Sequence, residues 1–334
     1  MSYPEYLTKK KKTLQTFDMM TRSFEAGKGT YGIVYSAKNQ NDKTQCVVKR
    51  NIVDKTNDFI GSLKELDILI KLKEHPYVID LKSYTLKSPF ESDDLPQLKK
   101  NMKGKDDYMF FIFDQADYDI YTLIYEKKIE SGLTKNIFMQ MLLSLEYIHS
   151  KGVIHRDIKP SNFLWFNKEK RVKLCDFGLA KVYTRQGPNT PDVVTSVYRS
   201  PEICMNYSKY DFKSDVWSLA CIFYEFVTGS SFIKDRNEKV FDDIKILNSI
   251  INSIPEKITE ADILKYAESS SDRPISDRIK LSTDAKKKFI SITKKSLDHF
   301  NSSPGSFEQF VKLLKDMLKF HPENRFGATE ALNS

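Results

Sequence analysis

The chain has 334 residues, 40% hydrophobic and 29% charged, with a formal net charge of +8. It reads as a soluble globular protein able to bury one large core or two smaller ones. Residues 217–227, the most apolar stretch, are too few for a bilayer and include Glu225, and no apolar signal core stands at the N-terminus, so neither a membrane span nor secretion is expected. Cys46, Cys175, Cys204 and Cys221 show no paired spacing, which argues against zinc. Cys46 and Cys221 lie in apolar runs, so buried free thiols in a reducing compartment are expected. The positive charge admits an acidic partner or nucleic acid, but the lysines are spread along the chain. Residues 9–12 are the one basic run, either a nuclear address or a solvated tail.

Taken in chain order, Ile33-Val34-Tyr35 and Cys46-Val47-Val48 alternate as strands, with a turn at 39–43. Residues 59–73 switch to a helical period, with Phe59, Leu63, Leu66, Leu69 and Ile70 on one face. Residues 77–84 and 108–113 return to strand character, and 87–107 read as an exposed loop. The spacing then predicts helices over 134–150, 214–228, 241–254 and 307–319, and a polar connection at 268–283. The boundary between the two parts is expected just after Phe113, where strand gives way to helix.

Three residue sets carry chemistry. Gly27-Lys28-Gly29-Thr30-Tyr31-Gly32 forms G-x-G-x-x-G, which is also found in dinucleotide-binding folds. That reading needs a helix directly after the glycines. Here Ile33 and Val34 follow at period two, which suits a strand–turn–strand flap over phosphates; a bare surface hairpin is the other reading. Lys49 ends an apolar strand, and either snorkels to water or grips nucleotide phosphates while held by Glu65. The third set is His155-Arg156-Asp157-Ile158-Lys159-Pro160-Ser161-Asn162, followed after a short strand by Asp176-Phe177-Gly178. Asp157 is the candidate acceptor of a substrate hydroxyl proton, and Lys159 the cation beside a moving phosphoryl group. Asn162 and Asp176 are candidate oxygen ligands for magnesium. An acidic turn between helices would explain one aspartate but not the whole set.

In this order the motifs resemble those of eukaryotic-type protein kinases over about residues 17–332. Residues 190–202 and the Thr30-Tyr31 pair bring the closer resemblance to the cyclin-dependent and mitogen-activated group. The resemblance implies an α+β, bilobal kinase fold. An N-terminal extension (1–20) precedes a small β-rich lobe with one main helix (21–114) and a larger, mostly helical lobe (115–334). It implies transfer of the ATP γ-phosphate to serine or threonine hydroxyls with magnesium, in a proline-directed manner; the alternative is a weakly active scaffold of the same fold that binds ATP and partners.

By the same resemblance, Ala26 to Val34, Lys49, Glu65, Asp114, Ala116 and Asp119 would bind nucleotide. Val194, Thr195 and Arg199 would meet the substrate. Thr190 would take an activating phosphate read by Lys64, Arg156 and Lys181, and Thr30 and Tyr31 would take inhibitory ones. Glu202 would lock to Arg325, and Asp215 would anchor the catalytic loop. Expected partners are protein substrates and an activating subunit or upstream kinase, with neither membrane nor nucleic acid; the expected location is intracellular, cytoplasmic or nuclear. The chain departs from the pattern at Val47, Val197 and Ser200, and it lacks a cyclin-binding signature around Glu65.

Overall fold

Period-two patterning in the first third becomes an antiparallel sheet of five strands. The computed structural model describes residues 20–29, 32–52, 56–85, 108–126, 132–184, 196–233, 243–266 and 304–334. Strands β1 (Met20–Gly29), β2 (Gly32–Asn39), β3 (Gln45–Ile52), β4 (Ser83–Thr85) and β5 (Tyr108–Asp114) lie in the order β1-β2-β3-β5-β4. Gly29 pairs with Gly32 and Lys28 with Ile33, so a strand follows the glycines and the dinucleotide-binding reading falls. Alternate residues Tyr35, Ala37, Cys46, Val48, Phe110 and Ile112 form a core cluster on one face. Helix α1 (Thr56–Lys71) buries Ser62, Glu65, Leu66 and Leu69, a stripe at three- and four-residue spacing. Full burial of Leu66 or Leu69 contributes roughly 2 kcal/mol each.

The strand expected over 77–84 is corrected. Only Ser83–Thr85 enters the sheet; Val78 N donates back to His75 O at 3.2 Å in a turn. Pro76 has no N–H to give a ladder. Val78 makes a single isolated bridge and Ile79 and Leu81 none, so these buried residues form no strand, and burial alone produces the same apolar pattern. The segments 87–107 and 268–283 lie outside the described residues.

Contacts divide the chain into two units, Met1–Ala116 and Asp117–Ser334. In the second unit β6 (Tyr118–Asp119) leads into α2 (Ile120–Tyr125) and α3 (Leu133–Ser150). After these come β7 (Val153–Ile154), β8 (Phe163–Phe166), β9 (Arg171–Leu174) and β10 (Lys181–Val182). One small sheet runs β6-β8-β9, and β10 pairs with β7. Helices α4 (Pro201–Cys204), α5 (Lys213–Thr228), α6 (Asp243–Ile251), α7 (Glu260–Leu264), α8 (Pro304–Met317) and α9 (Ala328–Leu332) complete the unit among the described residues.

Residues 214–227 of α5 are buried all round, as expected of the central helix of a bundle. Gly229, at φ 65°, ends α5 in the left-handed conformation that glycine adopts without a Cβ clash. Phe138 of α3 stacks on Phe223 at 4.1 Å and on Phe310 at 5.5 Å, which ties α3, α5 and α8 together. Both tryptophans, Trp165 on β8 and Trp217 on α5, are buried here. Among the described residues, no helix is long and apolar enough to cross a membrane.

Candidate active site

In the first unit, the strand period puts Lys49 and Asn51 of β3 on the same face. Glu65 of α1, 3% exposed, meets both. Its Oε1 takes Lys49 Nζ at 2.7 Å, and its Oε2 takes Asn51 Nδ2 at 3.0 Å. Asp114 closes β5, and its carboxylate pairs with Lys82 at 2.9 Å. Thr30 and Tyr31 of the glycine turn lie outside the described residues.

In the second unit, the hairpin β8–β9 sets the geometry. Phe163 pairs with Leu174, so Asn162 and Cys175 face each other at its open end, where Cys175 N donates to Asn162 O at 2.9 Å. Asp176 follows immediately, at φ 60°. Gln140 of α3 braces the hairpin's free edge: its Oε1 accepts from Val172 N at 2.7 Å, and its Nε2 donates to Lys170 O at 3.1 Å.

The loop before the hairpin is held from below. Asp215, in the first turn of α5, accepts from His155 N at 2.9 Å, Arg156 N at 3.0 Å and His149 Nε2 at 2.9 Å. Burial alone would raise the Asp215 carboxyl, but the bond and charge of His149 and the contacts to His155 outweigh it, so it is held below the usual range and stays ionised. These bonds also fix Arg156 in the left-handed region at φ 67°, an unfavourable conformation for arginine. The His155 ring donates from Nε2 to Cys175 O at 2.9 Å and meets Phe177 edge-on at 5.0 Å.

Asp157 therefore projects from a loop held by these bonds. Its Oδ2 accepts from Lys159 Nζ at 2.8 Å and from Asn162 Nδ2 at 3.1 Å. Asn162 Nδ2 also donates to Asp157 O at 2.7 Å, which leaves Oδ1 as its ligating atom. An amide oxygen at Asn162 and a carboxylate at Asp176, one residue past the hairpin's open end, are the donor types that suit a hard divalent cation.

A family model for the protein kinase domain matches residues 21–334. The chain belongs to the protein kinase family. It is 30% identical over 326 residues to a mitogen-activated protein kinase HOG1 of Arthrobotrys oligospora, a match covering 95% of this chain and 81% of that protein. Mitogen-activated protein kinases 7 and 8 of Oryza sativa subsp. japonica are 30% and 31% identical across 92% of this chain, which spans only 49% of their length. The chain is a protein serine/threonine kinase, and a scaffold without turnover is not supported. Kinases of this family use ATP and magnesium in general.

Other candidate residues of the kinase fall as follows. Asp119 caps α2, its Oδ1 accepting from Thr122 N at 2.7 Å. Arg156 donates from Nε to Leu179 O at 2.7 Å, Lys181 stands on β10 beside Ile154, and Lys64 is exposed on α1 in the first unit. Arg199 pairs with Asp243 of α6. Thr190, Val194 and Thr195 lie outside the described residues. Glu202 and Arg325 form a fully buried bidentate pair at 2.8 and 2.9 Å. Cys46, Cys204 and Cys221 are buried free thiols, and Cys175 is half-buried.

Two features were missed from the sequence. Asn51 was findable, because the same period that turns Lys49 toward α1 turns Asn51 there too. The Glu225 carboxylate of α5, which takes hydroxyls from both Tyr125 and Tyr198, had no local signal. Burial raises the Glu225 carboxyl against the opposing effect of the two tyrosine bonds.

Proposed function

We propose that Asp157 orients a serine or threonine hydroxyl of a protein substrate and takes its proton. The hydroxyl oxygen then bonds to the γ-phosphorus of ATP, the bond from that phosphorus to the β–γ bridging oxygen breaks, and ADP leaves with the electron pair. Lys159 offsets charge on the moving phosphoryl group. Lys49, steadied by Glu65, grips nucleotide phosphate oxygens, under the flap of residues 26–34. Backbone groups at Asp114 and Ala116 receive adenine, and Asp119 meets the ribose. Asn162 and Asp176 would hold magnesium, which when bound neutralises charge on the phosphates.

The observation that carries this reading is the Asp157 carboxylate, buried and held between Lys159 and Asn162 beside the turn to Asp176. Val194, Thr195 and Arg199 form the substrate platform, and the preference is for proline after the target residue. Proline has no N–H to leave stranded where the backbone acceptor is already committed. Phosphorylation of Thr190 by an upstream kinase or under an activating subunit raises activity, with Lys64, Arg156 and Lys181 as its cationic readers. Phosphates on Thr30 and Tyr31 lower it. The kinase acts in the cytoplasm or nucleus.

The test is transfer of labelled phosphate from ATP to paired peptides that differ only in proline or alanine after the target residue. Asp157→Asn is expected to lower kcat by roughly 10²–10⁴-fold, and the proline peptide to be preferred. Equal turnover by Asp157→Asn and the parent protein overturns the assignment of the base; equal rates on the two peptides overturn proline direction alone.

A further inference from the structure

Glu65 uses both carboxylate oxygens inside the first unit, one for Lys49 and one for Asn51. A carboxylate only accepts, so the amide of Asn51 presents its nitrogen to Glu65 and turns Oδ1 away. That Oδ1 is buried and has no hydrogen-bond donor among the described residues. A valine or leucine would fill this strand position without stranding an acceptor. Packing therefore does not account for the asparagine, whereas its bond to Glu65 does.

The geometry points to Asn51 as a positioning residue for phosphoryl transfer, holding Glu65 and, through it, the Lys49 ammonium in place before nucleotide arrives. The inference rests on the proposed phosphate-gripping role of Lys49. With one oxygen pinned by β3 at Asn51 and the other by Lys49, the carboxylate cannot swing away without breaking a buried bond. The helix and the strand are thus fastened at two points.

The experiment measures ATP kinetics on the full chain for Asn51→Leu, Asn51→Gln, Glu65→Gln, Asn51→Leu/Glu65→Gln and Lys49→Met, with thermal unfolding of each. Asn51→Leu is expected to lower kcat/KM for ATP by roughly 10- to 10²-fold, the scale of a misplacement of about 1 Å, without lowering the melting temperature, since the bond lost to Glu65 is offset by removal of the stranded Oδ1. Asn51→Gln keeps the donor and recovers part of the loss. In the Glu65→Gln background, Asn51→Leu changes kcat/KM no further, because its effect runs through that carboxylate. Parent-like kinetics in Asn51→Leu, or losses that add fully to those of Glu65→Gln and follow a fall in melting temperature, overturn the role of Asn51. Parent-like kinetics in Lys49→Met instead overturn the phosphate-gripping reading beneath it.

Discussion

Ser200 is wholly buried at the N-cap of α4, where its hydroxyl neither caps the helix nor finds another partner among the described residues. A buried hydroxyl without a bond is a cost with no return. Ser200→Ala is expected to stabilise the protein by about 1 kcal/mol, raising its melting temperature by roughly 2–4 °C; a lower melting temperature would show that the hydroxyl has a partner after all. At this scale the sequence was most informative where chemistry is contiguous. Asp157, Lys159 and Asn162 sit within one octet, so their proximity needs no knowledge of the fold. The strand period gives the face of Asn51, but an amide on a strand signals no role until its partner on α1 is known. Glu225 was beyond reach: Tyr125 and Tyr198 lie 100 and 27 residues from it, and no periodicity links them.

At the scale of elements, helices were more legible than extended segments. The stripe around Leu66 and Leu69 repeats often enough to fix a face, whereas the apolar run at 78–81 gave the same signal as a strand without being one. The packing of α7 against the 3-10 turn Pro322–Asn324 carries a pH dependence. Burial raises the Glu323 carboxyl, but bonds from Lys265 and Tyr266 dominate and hold it at about 2. Depressed in the folded state, it contributes stability that is present above about pH 4.5, its unfolded value, and that is lost as the pH falls toward 2. Asp262, bonded to Thr259 and His321, shifts in the same direction. Glu323 is half exposed, so solvent screening limits the effect to about 0–1 kcal/mol. The stability gap between the parent protein and Glu323→Gln should therefore close between pH 4.5 and 2 in acid titrations of the denaturation midpoint. A gap independent of pH would count against the pair.

Over the whole molecule, the Glu202–Arg325 pair joins positions 123 apart in sequence within the second unit. All five guanidinium donors are used. Two go to Glu202, and the others reach the carbonyls of Lys319, Lys213 and Phe320, while the guanidinium lies 5.1 Å from the centre of the Trp217 ring. Removing one partner strands a buried charge. Arg325→Ala should cost about 3–5 kcal/mol in chemical denaturation, a large share of the total for a domain; a loss below about 1 kcal/mol would mean that Glu202 had gained protons or water in its place.

The placement of Trp165 and Trp217 has a practical corollary. Indole emission from this protein originates only between residues 117 and 334. A fluorescence melt thus follows the second unit and is blind to the sheet bearing Lys49, whereas far-ultraviolet ellipticity registers both. Any gap between the two curves directly measures how independently the units come apart.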